Sequence, residues 1–103
     1  MGIELHATDD VALTDPQSEI LQTLLRAFNL MLEREKIYGS AWTRYGVPDK
    51  VMHIRDITAR VEHIANLCPF IEGEPAHKLE DLLLDLVNYA AMGALQTAQG
   101  KFS

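Results

Sequence analysis

An all-α fold is predicted by three features of the chain. Apolar residues recur at helical spacing in three separate stretches, proline, glycine or a capping residue bounds each stretch, and nowhere do residues alternate as in a strand. The expected architecture is a small helical bundle of three main helices, completed by homo-oligomerisation. With 103 residues there is room for one domain and one core. A composition of 48% hydrophobic and 23% charged residues belongs to a folded globular chain and not to a disordered one.

Residues 1–13, "MGIELHATDDVAL", sustain no helical period and read as an N-terminal arm, leaving 14–103 as the domain. Helix 1 starts with Thr14 or Asp15 as N-cap, Pro16 in the first turn and Glu19 placed to favour the helix dipole. Ile20, Leu21, Leu24, Leu25, Phe28, Met31 and Leu32 share one face of about 140°, and the next turn of that face lands on Glu35. The helix should stop near Tyr38–Gly39, where "YGSAWTRYGVPDK" forms an aromatic, glycine-punctuated connection ending at Pro48.

Helix 2 is expected to open with Asp49 as N-cap and to bury Ile54, Ile57, Val61, Ile64 and Cys68. "PFIEGEPA" interrupts the pattern, and helix 3 is expected from about His77 to about Gln99. No internal repeat is visible.

A formal charge of -6 and a pI near 5.0 exclude the basic footprint of non-specific nucleic-acid binding. Small phosphorylated ligands stay compatible, because a divalent cation supplies positive charge locally. Cys68 is the single cysteine, so no intrachain disulfide can form, and its expected role is a small buried apolar one in a reducing compartment. No apolar run reaches the roughly 18 to 20 residues of a membrane span, and the N-terminus lacks the basic-then-apolar layout of a signal peptide. A cytoplasmic location is expected, with no membrane partner.

Helix 3, "KLEDLLLDLVNYAAMGAL", poses the functional question. Asp81, Asp85 and Asn88 fall within about 60° of one another, yet Leu82 and Tyr89 border them on one side and Leu84, Ala91 and Leu95 on the other. A helix apolar nearly all round is buried, which one 103-residue chain can scarcely achieve, so a homodimer or homotetramer is expected. Carboxylates in such a cleft need cations, hydrogen bonds, protonation or a metal. Two of them one turn apart suit Mg²⁺, which also accepts substrate phosphates. Glu35, on the core face of helix 1, is the third candidate ligand. If helices 2 and 3 form an antiparallel hairpin, positions summing to about 144 lie level, which adds Glu62 beside Asp81 and Asp56 beside Asn88. The competing reading of Asp56 is a surface ion pair with Arg60, and that of Asp81 and Asp85 is a salt-bridge network with Arg55 or Arg60. His53 and His63 read as solvated.

The connector "YGSAWTRYG" gathers Tyr38, Trp42 and Tyr45 beside Lys36 and Arg44. Aromatic faces stack bases and cations engage phosphates; equally, the aromatics serve to close the end of the core.

"YGSAW", "IRDITARVEHI" and "EDLLLDLVNYA" together resemble the phage and bacterial nucleotide modification associated all-α domain, a relative of the MazG-like nucleotide pyrophosphohydrolases, over roughly residues 33–95. The resemblance implies an oligomeric, Mg²⁺-dependent (or Mn²⁺-dependent) protein of a bacterium or phage-infected host. Its partner would be a (deoxy)nucleoside triphosphate, and its role nucleotide-pool or modified-nucleotide metabolism. It implies Glu35, Glu62, Asp81 and Asp85 as metal ligands, Lys36 and Arg60 on phosphate, Trp42 and Tyr38 on the base, and Asn88 on a carboxylate or the ribose. The chain departs from the family's ExxE and ExxD pairs, since Asp81 and Asp85 are four apart and helices 1 and 2 carry no ExxE. The alternative is a non-catalytic helical module for nucleotide sensing or protein interaction.

Overall fold

The computed structural model describes residues 12–66 and 72–103. Three helices, α1 (Asp15–Tyr38), α2 (Val47–Asn66) and α3 (Glu74–Ala98), account for most of these residues, with a single 3₁₀ turn (Ala41–Arg44) between α1 and α2. Among the described residues there is no strand, as the periodicity predicts. The expected arm lies almost wholly outside the described residues, as do Cys68 and His6.

Helix boundaries follow local chemistry. Thr14 is the N-cap of α1, its hydroxyl accepting from the Gln17 amide while the Gln17 side chain accepts from the Thr14 amide, so two otherwise orphaned donors are satisfied. At the other end Gly39 adopts φ 65°, a conformation that glycine reaches without a Cβ clash, and its amide closes on the Glu35 carbonyl. The prolines expected to break helices instead begin them. Pro48 and Pro75 sit in the first turns of α2 and α3, where the missing N–H costs nothing. Helix α2 therefore starts two residues before Asp49, and α3 three residues before His77.

Helix α3 is the central element, with α2 packed on one face and α1 on another. The α2–α3 pair is antiparallel and keeps the register read from the sequence. Gly93 lies against Lys50, where an added Cβ would meet the Lys50 Cβ at 3.5 Å, and the His53 and Tyr89 rings stack at 4.5 Å, so both pairs sum to about 144. Ile57 is buried and Ile54, Val61 and Ile64 are half-buried, as their stripe requires.

The α1 contact is narrower and polar. Arg26 pairs with Glu80, Arg34 pairs with Asp85, and the buried Asn88 amide donates to the Ala27 carbonyl at 2.8 Å. The polar stripe of α3 thus faces α1. It lies about 100° around the helix from the Tyr89 and Gly93 face that receives α2.

The chain end is tied down as well. The Gly46 and Val47 amides donate to the Ser103 and Lys101 carbonyls at 2.9 and 3.0 Å, and the Lys101 ammonium donates to the Thr43 carbonyl. Gly46 is obligatory there, because a Cβ would fall 2.4 Å from the Lys101 carbonyl oxygen. The segment fixes the 3₁₀ turn against the start of α2.

Candidate functional site: an aromatic cleft

Where the end of α1, the 3₁₀ turn, the start of α2 and the middle of α3 meet, they enclose a cleft of about 350 Å³. Its volume suits a small planar ligand. Each element contributes for a local reason. The last turns of α1 present Met31, Arg34, Glu35 and Tyr38 at helical spacing; after the glycine stop the chain brings Trp42 and Tyr45 to the same space. Helix α2 supplies Asp49 and His53 one turn apart, and α3 supplies Asn88, Tyr89 and Met92.

Charge in the cleft is organised in pairs. Arg34 is matched by Asp85, whose side chain is 20% exposed. The fully buried Lys50 directs its ammonium to the Tyr45 carbonyl and to Asp49 Oδ2, both at 2.9 Å, which repays part of the cost of removing that charge from water. Asp49 also holds His53, with Oδ1 3.5 Å from Nε2. The Gln96 amide joins Lys50 on the Tyr45 carbonyl at 2.9 Å, anchoring the connector from beneath.

Glu35 differs from these. Its Oε1 accepts from the Trp42 indole N–H at 2.8 Å, a neutral donor, and among the described residues no cation pairs with it. Among the described residues the cleft therefore carries one uncompensated carboxylate, beside its aromatic side chains. Such side chains accept a planar ring, and the carboxylate accepts hydrogen bonds from N–H or O–H groups on a ligand. Burial and the nearby Asp85 and Asp49 carboxylates push the Tyr89 phenol above its ordinary pKa, against the opposing pull of Arg34, so Tyr89 serves as a neutral hydroxyl on the cleft floor.

Of the nine residues singled out from the sequence, Glu35, Tyr38, Trp42 and Asn88 line this cleft. Asp85 lies behind its wall, bonded to Arg34. Asp81 is exposed and opens into a shallow depression between α1 and α3, with Arg26 and Glu33. Glu62 is exposed on α2, and Lys36 is exposed at the end of α1. Arg60 pairs with Asp56 at 3.0 Å on the solvated face of α2, the surface ion pair that their i, i+4 spacing suggests.

The hairpin register does put Glu62 and Asp81 at one level, but Asp81 faces α1, so the four carboxylates do not converge within one chain. Among the described residues no group of three or more His, Cys, Asp or Glu side chains is placed to hold a metal ion. Asn88 is committed to the Ala27 carbonyl and acts as a fastener between helices. The arginine facing Asp85 is Arg34, where the sequence suggested Arg55 or Arg60.

Sequence reasoning missed Arg34, Asp49, Lys50, His53 and Tyr89 as parts of the site. His53 was accessible in principle, because the same 144 register that relates Glu62 to Asp81 sets His53 beside Tyr89. Lys50 carried no signal, since a lysine in the first turn of a helix normally reaches solvent. Compared with family models, curated proteins and solved structures, the chain matches none.

Proposed function

We propose that the protein binds a nucleotide in this cleft, acting in nucleotide-pool or modified-nucleotide metabolism as a nucleotide-binding or nucleotide-sensing domain. The observation that carries the reading is the conjunction of Trp42, Tyr38 and Tyr45 with the unpaired Glu35 carboxylate around a space of about 350 Å³. A base stacks on these aromatic side chains, which contributes about 1–3 kcal/mol. Glu35 accepts from donors on the base or sugar, while Arg34, the cation among the lining residues, is paired with Asp85. The resemblance to the nucleotide modification associated domain supports the same ligand class.

The Mg²⁺-dependent pyrophosphohydrolase reading has weaker geometric support. Among the described residues no three of Glu35, Glu62, Asp81 and Asp85 gather to hold a metal ion, so they do not form a preassembled cation cage. Binding is supported by the arrangement, and cleavage of the phosphoanhydride is not.

Trp42 is the single tryptophan, so its fluorescence reports on the cleft alone. Titrating the protein with nucleoside mono- and triphosphates, with and without Mg²⁺, should quench that emission saturably. In parallel, pyrophosphate release separates binding from turnover. Emission unchanged by every nucleotide, together with no thermal stabilisation, would overturn the proposal.

A further inference from the structure

Among the described residues, each charged side chain that lines the cleft has an ionic partner except Glu35. Arg34 is paired with Asp85. Asp49 divides its two oxygens between the buried Lys50 ammonium, at 2.9 Å, and His53, at 3.5 Å. Glu35 Oε1 accepts from the Trp42 indole at 2.8 Å, and among the described residues Oε2 accepts from nothing. The charge left free in the lining is therefore negative, in a chain whose formal charge is -6.

The aromatic rings divide in a similar way. His53 and Tyr89 stack on each other at 4.5 Å with their planes 13° apart, so each has one face taken. The half-buried Trp42 and the exposed Tyr38 and Tyr45 have no aromatic partner among the described residues.

A neutral base seated here would cover the Glu35 carboxylate and take it from water with only neutral hydrogen bonds in exchange, leaving its charge uncompensated. A positively charged base offsets that charge, and the same charge is attracted to the faces of Trp42 and the tyrosines. A charge spread over a flat ring is also more weakly hydrated than an ammonium, so it leaves water at lower cost. A quaternary ammonium would meet the aromatic faces equally well but has no N–H for Glu35 to accept. Among the described lining residues no cation is left free for a phosphate, so the base is the part of a nucleotide that the cleft suits.

We propose that the cleft selects nucleotides whose base is cationic through alkylation of a ring nitrogen, with the delocalised charge stacked on Trp42 and the N–H edge of the base donating to Glu35. The proposal rests on the nucleotide reading of the cleft and adds to it the charge of the base.

Calorimetric titration of the full chain with matched monophosphates tests it. 1-Methyladenosine monophosphate and N6-methyladenosine monophosphate carry one methyl group on different nitrogens, and only the first has a cationic base at neutral pH. In the second pair, 7-methylguanosine monophosphate and GMP differ by the methyl group that makes the ring cationic. The cationic member of each pair should bind at least about tenfold more tightly and quench Trp42 saturably. Glu35→Gln keeps an acceptor for the indole, so circular dichroism should show the helices retained while the preference within each pair falls severalfold. Equal affinity within each pair would overturn this inference and leave the nucleotide reading standing; a preference that Glu35→Gln does not reduce would overturn it too. Absence of binding by all four compounds would overturn the nucleotide reading itself. Tetramethylammonium competing as strongly as the cationic nucleotides would show a general organic-cation site and overturn the assignment to a base.

Discussion

The Trp42 indole N–H donates to Glu35 Oε1 at 2.8 Å, joining the last turn of α1 to the connector that follows it. This bond links folding to the proposed function, because it holds an aromatic wall and an acceptor in fixed relation. Glu35→Gln keeps an acceptor for the indole and removes the charge, whereas Glu35→Ala removes both. The alanine variant should lose about 1.5–3 kcal/mol of stability in urea melts followed by circular dichroism, the range for a hydrogen bond to a charged group. The glutamine variant should keep most stability yet bind nucleotide more weakly, as read by Trp42 quenching. Equal behaviour of the two would show that Glu35 is structural only.

Arg34 and Asp85 present a second test. The pair is partly exposed, so its coupling is expected to be on the order of 1 kcal/mol in a double-mutant cycle of Arg34→Met and Asp85→Leu. A coupling near zero would mean that Asp85 faces water or serves another partner. Because the pair spans α1 and α3, both single variants should also loosen amide-exchange protection in the last turns of α1.

Stability should fall at both extremes of pH for opposite reasons. The Tyr89 phenol has a raised pKa in the folded chain, so between about pH 10 and that higher value the folded state holds a proton that the unfolded state has lost. Its contribution is complete below about pH 10 and is lost as pH rises through the folded value, and Tyr89→Phe should flatten that part of an alkaline denaturation curve. Glu80 behaves in the reverse sense. The hydrogen bond and charge of Arg26 lower its pKa, so its contribution is present above the ordinary glutamate range and lost as pH falls through the depressed value. Arg26→Met should remove that acid-side slope; a slope unaffected by the change would place the Glu80 carboxylate free of Arg26.

Gly46→Ala should detach the C-terminal segment. The new methyl group would stand 2.4 Å from the Lys101 carbonyl oxygen, and backbone must move to admit it. A loss of about 1–3 kcal/mol is expected in thermal or urea melts, with proteolysis near Lys101 accelerated. Deleting residues 101–103 in the Gly46→Ala background should then cost little more, since the contact is already broken. Full additivity of the two changes would contradict the packing.

Much of the secondary structure was legible because its determinants are local. The N-cap at Thr14 or Asp15, the stop at Tyr38–Gly39 and the apolar spacing of α1 each act within a few residues of themselves, while Gln17, which completes the cap, was not read from the sequence. The two helix starts were misjudged for an equally local reason: proline breaks a helix it stands within but suits the first turn of one that follows, and the spacing alone does not separate these cases. Half of the candidate cleft was legible too, through the clustered aromatics and through Glu35 at an apolar position.

By itself the sequence determined three amphipathic helices, the aromatic connector and the level at which α2 and α3 meet, because periodicity and turn chemistry are properties of neighbouring residues. Tertiary structure alone decided which helix each face would meet. The stripe of Asp81, Asp85 and Asn88 is equally compatible with α2 or α1 as its neighbour. It was turned to α1 by Arg34 and the Ala27 carbonyl, more than fifty residues away in the chain. The same rotation left the ridge of Ile20, Leu24, Phe28 and Leu32 facing outward, since one helix cannot bury two faces against a single neighbour.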